Sequence, residues 1–132
     1  MITAFLLAAI PIAPQAPKPI ETTIAAIRAD PKRFDGQVVR LHGWVNACTP
    51  RGCLIEEHRE TSAGAGGQWL SIAADPKFDA TVKPLLPTWI ELDARVDATC
   101  LRPSTVCADR SPDLTVILLR GVIDPTEPPP ED

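Results

Sequence analysis

Residues 35–55 read Asp-Gly-Gln-Val-Val-Arg-Leu-His-Gly-Trp-Val-Asn-Ala-Cys-Thr-Pro-Arg-Gly-Cys-Leu-Ile: a strand, a turn with a cysteine on either side, and the start of another strand. No other stretch restricts the fold as strongly. After the Asp35-Gly36 turn signal, Val39, Leu41, Gly43 and Val45 alternate with Val38, Arg40, His42 and Trp44. That period of two marks a strand with one buried face, and its parity points Arg40, His42 and Trp44 outward. Gly43 interrupts the run and predicts a bulge or sharp bend, the device by which one long strand joins two sheets. A bulge at that position would turn Trp44 inward.

The four cysteines form two close pairs, Cys48 with Cys53 and Cys100 with Cys107. An even number in a small exported chain reads as disulfides, and of the three pairings that four cysteines allow, the short separations favour the two local ones. Closing such small loops contributes about 2 kcal/mol each on the loop-entropy account. They are braces on turns rather than the source of the fold's stability. Zinc is disfavoured, because gaps of four and six residues are looser than metal-binding knuckles and an oxidising compartment favours bridges. No metal and no cofactor is expected.

Export itself is read from residues 1–16, an apolar run too short to span a bilayer but the right length for a secretory leader. No Lys or Arg precedes the run, and no cysteine follows it before Cys48, so no lipid anchor is expected. The expected mature chain begins near residues 13–17, carries no transmembrane segment and is periplasmic or secreted. Residues 17–124 are expected to form one domain, and 125–132 a proline-rich acidic tail. The leader contains no charged side chain, so the net charge of −4 passes unchanged to the mature protein.

Further along, Ile20, Ile24 and Ile27 define a helical stripe over residues 20–29, ended by Asp30-Pro31 because proline disfavours helix in the residue before it. Strands are expected over residues 53–57, 69–73, 88–98 and 114–123, the last apolar enough to be buried on both faces in places. Asp75-Pro76 opens a helix over residues 76–86. The glycine-rich connection before Trp69 is read as a hairpin loop, since no Gly-Lys-Ser/Thr follows it. The expected fold is therefore all-β with short helices. Strand, strand, strand, helix, strand, strand is the order of a five-stranded antiparallel OB-fold barrel, here preceded by a short N-terminal helix.

Residues 35–45 resemble the opening strand of anticodon-binding-type OB domains. With the preceding Asp-Pro-Lys-Arg-Phe-Asp-Gly of residues 30–36, the chain is still more similar to small exported bacterial OB-fold proteins. The motif covers residues 29–45. It implies the fold and the compartment and says little about a ligand, because OB barrels host many unrelated ones.

Chemistry is sparse. His42 and His58 have no nucleophile or carboxylate placed by motif beside them, and Glu56 and Glu57 point to opposite faces of a strand. A non-enzymatic protein is expected. Nucleic acid is disfavoured by the acidic balance and by only three tryptophans, three phenylalanines and no tyrosine. What remains is a set of cations at the stapled turns, Arg51 in the first and Arg102 and Arg110 around the second, near the outward Arg40, His42, Trp44, Trp69 and Ser71. In OB barrels the loops joining strands one to two and four to five flank the ligand face. These residues are accordingly the candidate surface for a small anionic or sugar-like ligand or a peptide. The alternatives are an interaction protein of an envelope assembly acting through a strand edge, and an ordinary solvated face whose tryptophans are partly core.

Overall fold

The computed structural model describes residues 18–58, 68–102, 107 and 111–123. The expected leader, the glycine-rich connection, Arg110 and the acidic tail lie outside the described residues. In chain order the elements are strand β1 (Ile20–Glu21), helices α1 (Ile24–Ala29) and α2 (Pro31–Phe34), and strands β2 (Val38–Thr49), β3 (Gly52–Glu56) and β4 (Trp69–Ala73). Helix α3 (Pro76–Val82) and a 3-10 turn (Lys83–Leu85) follow, then strand β5 (Thr88–Val96), a second 3-10 turn (Thr99–Leu101) and strand β6 (Leu114–Ile123).

β2 organises the sheet because it has two partners along its length. It pairs antiparallel with β5 from Val38 to Val45 and with β3 from Trp44 to Thr49. Hydrogen bonding therefore runs from β2 through β3, β4, β6 and β5 back to β2, with β1 lying along the flank of β2. Val39, Leu41 and Val45 of β2 point into the space this ring encloses, where they meet Ile55, Leu70, Ile72, Ile90, Leu92 and Leu114, all buried. Each such side chain contributes about 1.5–3 kcal/mol on leaving water. α1 adds Ile24 and Ile27, three residues apart on one helical face, and starts where it does because the Thr23 hydroxyl accepts a hydrogen bond from the Ala26 amide (3.1 Å). α3 adds Phe78 and Val82 and is capped by Asp75, which accepts from the Phe78 amide (3.0 Å) with Pro76 in the first turn.

Several expectations are corrected. The described residues are mostly β as expected, but their sheet has six strands rather than five, and two pairings, β1 with β2 and β4 with β6, are parallel. The expected order of strands and helices is not matched. Since Thr23 caps α1, the residues before it are free to extend, and Ile20 pairs with Val39 in β1 instead of joining a helical stripe. Pro31 ends α1 but then opens α2, its fixed φ suiting a first helical position. The helix after β4 ends at Val82 and tightens into a 3-10 turn because Pro84 has no amide to donate.

Gly43 is not a bulge. It stays in continuous register with β5, opposite Ile90, and the irregularity in β2 falls instead between Val45 and Cys48 against β3. Glycine is required there by proximity, since a Cβ would lie 2.6 Å from Ile55 Cγ1 and 2.7 Å from the Glu56 carbonyl oxygen. β6 is not buried on both faces either: Leu114 is, but Ile117 and Leu118 are 54% and 51% exposed. Two register shifts against β5 explain this. Between the Ala94–Val116 and Asp93–Leu118 pairs one residue, Ile117, is left over, and Arg120 is left over in the same way further on.

Candidate functional site

Cys48 of β2 stands directly opposite Cys53 of β3 and is bonded to it (S–S 2.04 Å, Cα–Cα 4.1 Å). Within the closed turn, the Thr49 hydroxyl accepts from the Arg51 amide (3.2 Å) and donates to the Gly52 carbonyl (3.4 Å). Gly52 has φ 137°, and any side chain on it would run into the Ile72 carbonyl of β4. Disulfide, hydroxyl and glycine together hold the backbone of Arg51 at the tip. Its exposed guanidinium makes no hydrogen bond, ion pair or ring contact among the described residues, whereas the other described arginines are each bonded or stacked.

Beside Arg51 the outer face of β2, β3 and β4 is concave and holds a groove of about 370 Å³. Ala47 and Thr49 form one side, Leu54 and Ser71 the floor, and Pro112, just before β6, the other side. Ser71 is held from behind. Its hydroxyl donates to Asp113 Oδ2 (3.0 Å) and accepts from the Asp113 amide (2.9 Å), while its own amide donates to the same carboxylate oxygen (2.9 Å). Asp113 is fully buried, and its carbonyl accepts from the Asp97 amide at the end of β5 (2.8 Å). The floor of the groove is thus tied to the place where β4 and β6 meet, at the Ile72–Leu114 pair.

The remaining sequence candidates lie elsewhere. Arg40 is opposite Asp93 and gives it two hydrogen bonds (2.9 and 3.4 Å), which raise the arginine pKa above its ordinary value. Arg120 reaches the same carboxylate at 3.5 Å and Glu91 at 3.2 Å. His42 is exposed opposite Glu91. Trp44, expected to face solvent, is instead buried: it lies between Trp89 of β5, ring centroids 5.8 Å apart, and Glu56 of β3. Trp69 stands on the far side of Glu56, half-buried, with the Arg28 guanidinium 5.4 Å over its ring and bonded to its carbonyl (2.8 Å). Cation and ring already satisfy one another there.

The second disulfide, Cys100 to Cys107, is also formed. Arg102 beside it is turned to Asp35 (3.2 Å), in the turn that precedes β2, whereas Arg51 stands in the turn that follows it. Near this bridge the Asp97 carboxyl is held below its ordinary pKa, first by the Thr99 hydroxyl (2.6 Å) and then by the Thr99 amide (3.0 Å), with a smaller contribution from Arg102. Of the sequence candidates, then, Arg51 and Ser71 come together. Arg40 and His42 occupy the face shared with β5, and Arg110 lies outside the described residues. Ala47, Leu54 and Pro112 were missed. Alternation with the inward Cys53 and Ile55 marks Leu54 as outward beside Arg51, but nothing local distinguishes Pro112.

Among the described residues no group of three or more His, Cys, Asp or Glu could hold a metal ion, and no helix is long and apolar enough to cross a membrane. No family model, curated protein or solved structure matches this sequence.

Proposed function

We propose that the chain is an exported, non-enzymatic OB-type binding module that holds a small anionic or sugar-like ligand, or a peptide, in the groove beside Arg51. The carrying observation is a guanidinium with no partner among the described residues, at the lip of a concave surface of ligand size and on a turn stiffened by a disulfide. Bracing such a turn lowers the ordering cost that binding would otherwise incur. The OB reading is supported by the ring order β2-β3-β4-β6-β5, by α3 between β4 and β5 in the chain, and by the groove's position between the first connection and the segment leading into β6. Export is supported by two disulfides together with the apolar run of residues 1–16.

The exposed Ile117 and Leu118 favour, as second reading, an interaction protein of an envelope assembly. The discriminating experiment is an amide NMR titration of the disulfide-bonded protein with inorganic phosphate, oligosaccharides, alkyl carboxylates and short peptides. A saturable response at Arg51, Leu54 and Ser71, lost in Arg51→Ala with little change in Tm, supports the binding module. If none of these probes perturbs the groove while β6 resonances broaden in an envelope extract, the second reading replaces it.

A further inference from the structure

We infer that the groove takes a small amphipathic monoanion, an alkyl carboxylate, its headgroup on Arg51 and its hydrocarbon laid over Leu54 and Pro112. The inference rests on the groove being the ligand site, and it selects among the ligand classes proposed above on three grounds.

The first is the supply of polar partners. Among the described residues Thr49 and Ser71 are the hydroxyl side chains on the groove, and both are committed within the protein, Thr49 to the Arg51 amide and Gly52 carbonyl and Ser71 to Asp113. A sugar laid here would surrender water at several hydroxyls and find few replacements, which costs more than the contact returns. No aromatic ring lines the groove for a sugar face to stack on, since Trp69 is covered by Arg28 and Trp44 is buried against Trp89.

The second ground is charge. Arg51 is the one charged side chain on the groove among the described residues and has no partner among them, and its guanidinium fork matches the two oxygens of a carboxylate. A single negative charge is paired there, whereas a phosphate dianion would bring a second charge that no other cation on the described lining meets.

The third is the lining. Ala47, Leu54 and Pro112 are apolar and reach the surface, and an exposed arginine contributes little by itself in water, so most of the affinity has to come from covering these side chains. The volume of about 370 Å³ is near the lower end of ligand clefts, which span roughly 300–1,000 Å³.

The test titrates the ¹⁵N-labelled, disulfide-bonded protein with butyrate, hexanoate and octanoate, and separately with hexan-1-ol, inorganic phosphate and maltotriose. The carboxylates should shift the Arg51, Leu54 and Ser71 amides saturably, with Kd falling by up to roughly fourfold per added methylene. Arg51→Gln should weaken octanoate about tenfold and leave hexan-1-ol unaffected. If phosphate or maltotriose saturates these resonances more tightly than octanoate, or if Arg51→Gln binds octanoate as the parent does, the inference is overturned while the groove stands as a ligand site. If no probe moves them, both readings fall.

Discussion

Ser71 and Asp113, 42 residues apart, hold each other reciprocally, each amide donating to the other's side-chain oxygen while the serine hydroxyl donates to the same carboxylate. Asp113 is fully buried, so its Oδ2 is met by the Ser71 amide and hydroxyl rather than by bulk water. The pair sits beside the Ile72–Leu114 contact and fastens β4 to β6. Ser71→Ala removes the hydroxyl from both bonds, and the expected cost is about 1–3 kcal/mol, read from the midpoint of guanidinium unfolding. A change below about 0.5 kcal/mol would show that the latch contributes nothing.

Gly43 and Gly121 lie on neighbouring outcomes of one rule. A methyl group on Gly43 would press on Ile55 and the Glu56 carbonyl, which is backbone and gives way poorly, whereas one on Gly121 meets nothing within 4 Å. Gly43→Ala should therefore destabilise by about 1–3 kcal/mol through overpacking. Gly121→Ala should be neutral or slightly stabilising, by about 0.5 kcal/mol, through the narrower unfolded ensemble. Paired thermal melts decide it, and equal effects would contradict the close approach.

Removing the Cys48–Cys53 bridge by the double change to serine should cost about 2 kcal/mol, because the loop it closes is short. That corresponds to a Tm lower by the order of 10 °C in a domain of this size. Reductant, which opens both bridges, should lower the parent's Tm by at least this much and leave a variant lacking both bridges unchanged. Peptide mapping without reduction should recover Cys48 with Cys53 and Cys100 with Cys107.

Asp97 gives a pH dependence of defined sign. Its carboxyl titrates below the ordinary value of about 3.9 because Thr99 hydrogen-bonds the ionised form. Its contribution to stability is thus fully present above the unfolded value and is lost as pH falls through the lower, folded one. Thr99→Ala should move the Asp97 carbon-detected titration upward toward the ordinary carboxylate value and shrink the acid-side slope of stability. An unmoved titration would show that the hydroxyl is not the cause.

Arg51→Ala should leave the unfolding free energy within about 0.5 kcal/mol of the parent's, since its guanidinium supports nothing among the described residues. Arg102→Ala should lose at most about 1 kcal/mol, because its bond to Asp35 joins two groups that are each well exposed to water. Urea titrations of the two variants side by side check both values.

Sequence alone determined what depends on neighbours along the chain. Alternation in residues 38–45 and 88–96 marked the inward faces of β2 and β5, Asp75-Pro76 marked the start of α3, and spacing marked both disulfides. Each of these is set by backbone period, capping or loop closure within a few residues. Tertiary structure decided whatever depends on which strands meet. It placed Ile20 in a parallel strand, kept Gly43 in register while requiring the absence of its side chain, and buried Trp44 against Trp89 despite its outward parity. It also paired Arg40 with Asp93 and Arg102 with Asp35, leaving Arg51 at the groove without a partner among the described residues. A charged side chain's availability is settled by the partner across the sheet, 53 residues away for Arg40, and nothing in the local pattern of the chain encodes that distance.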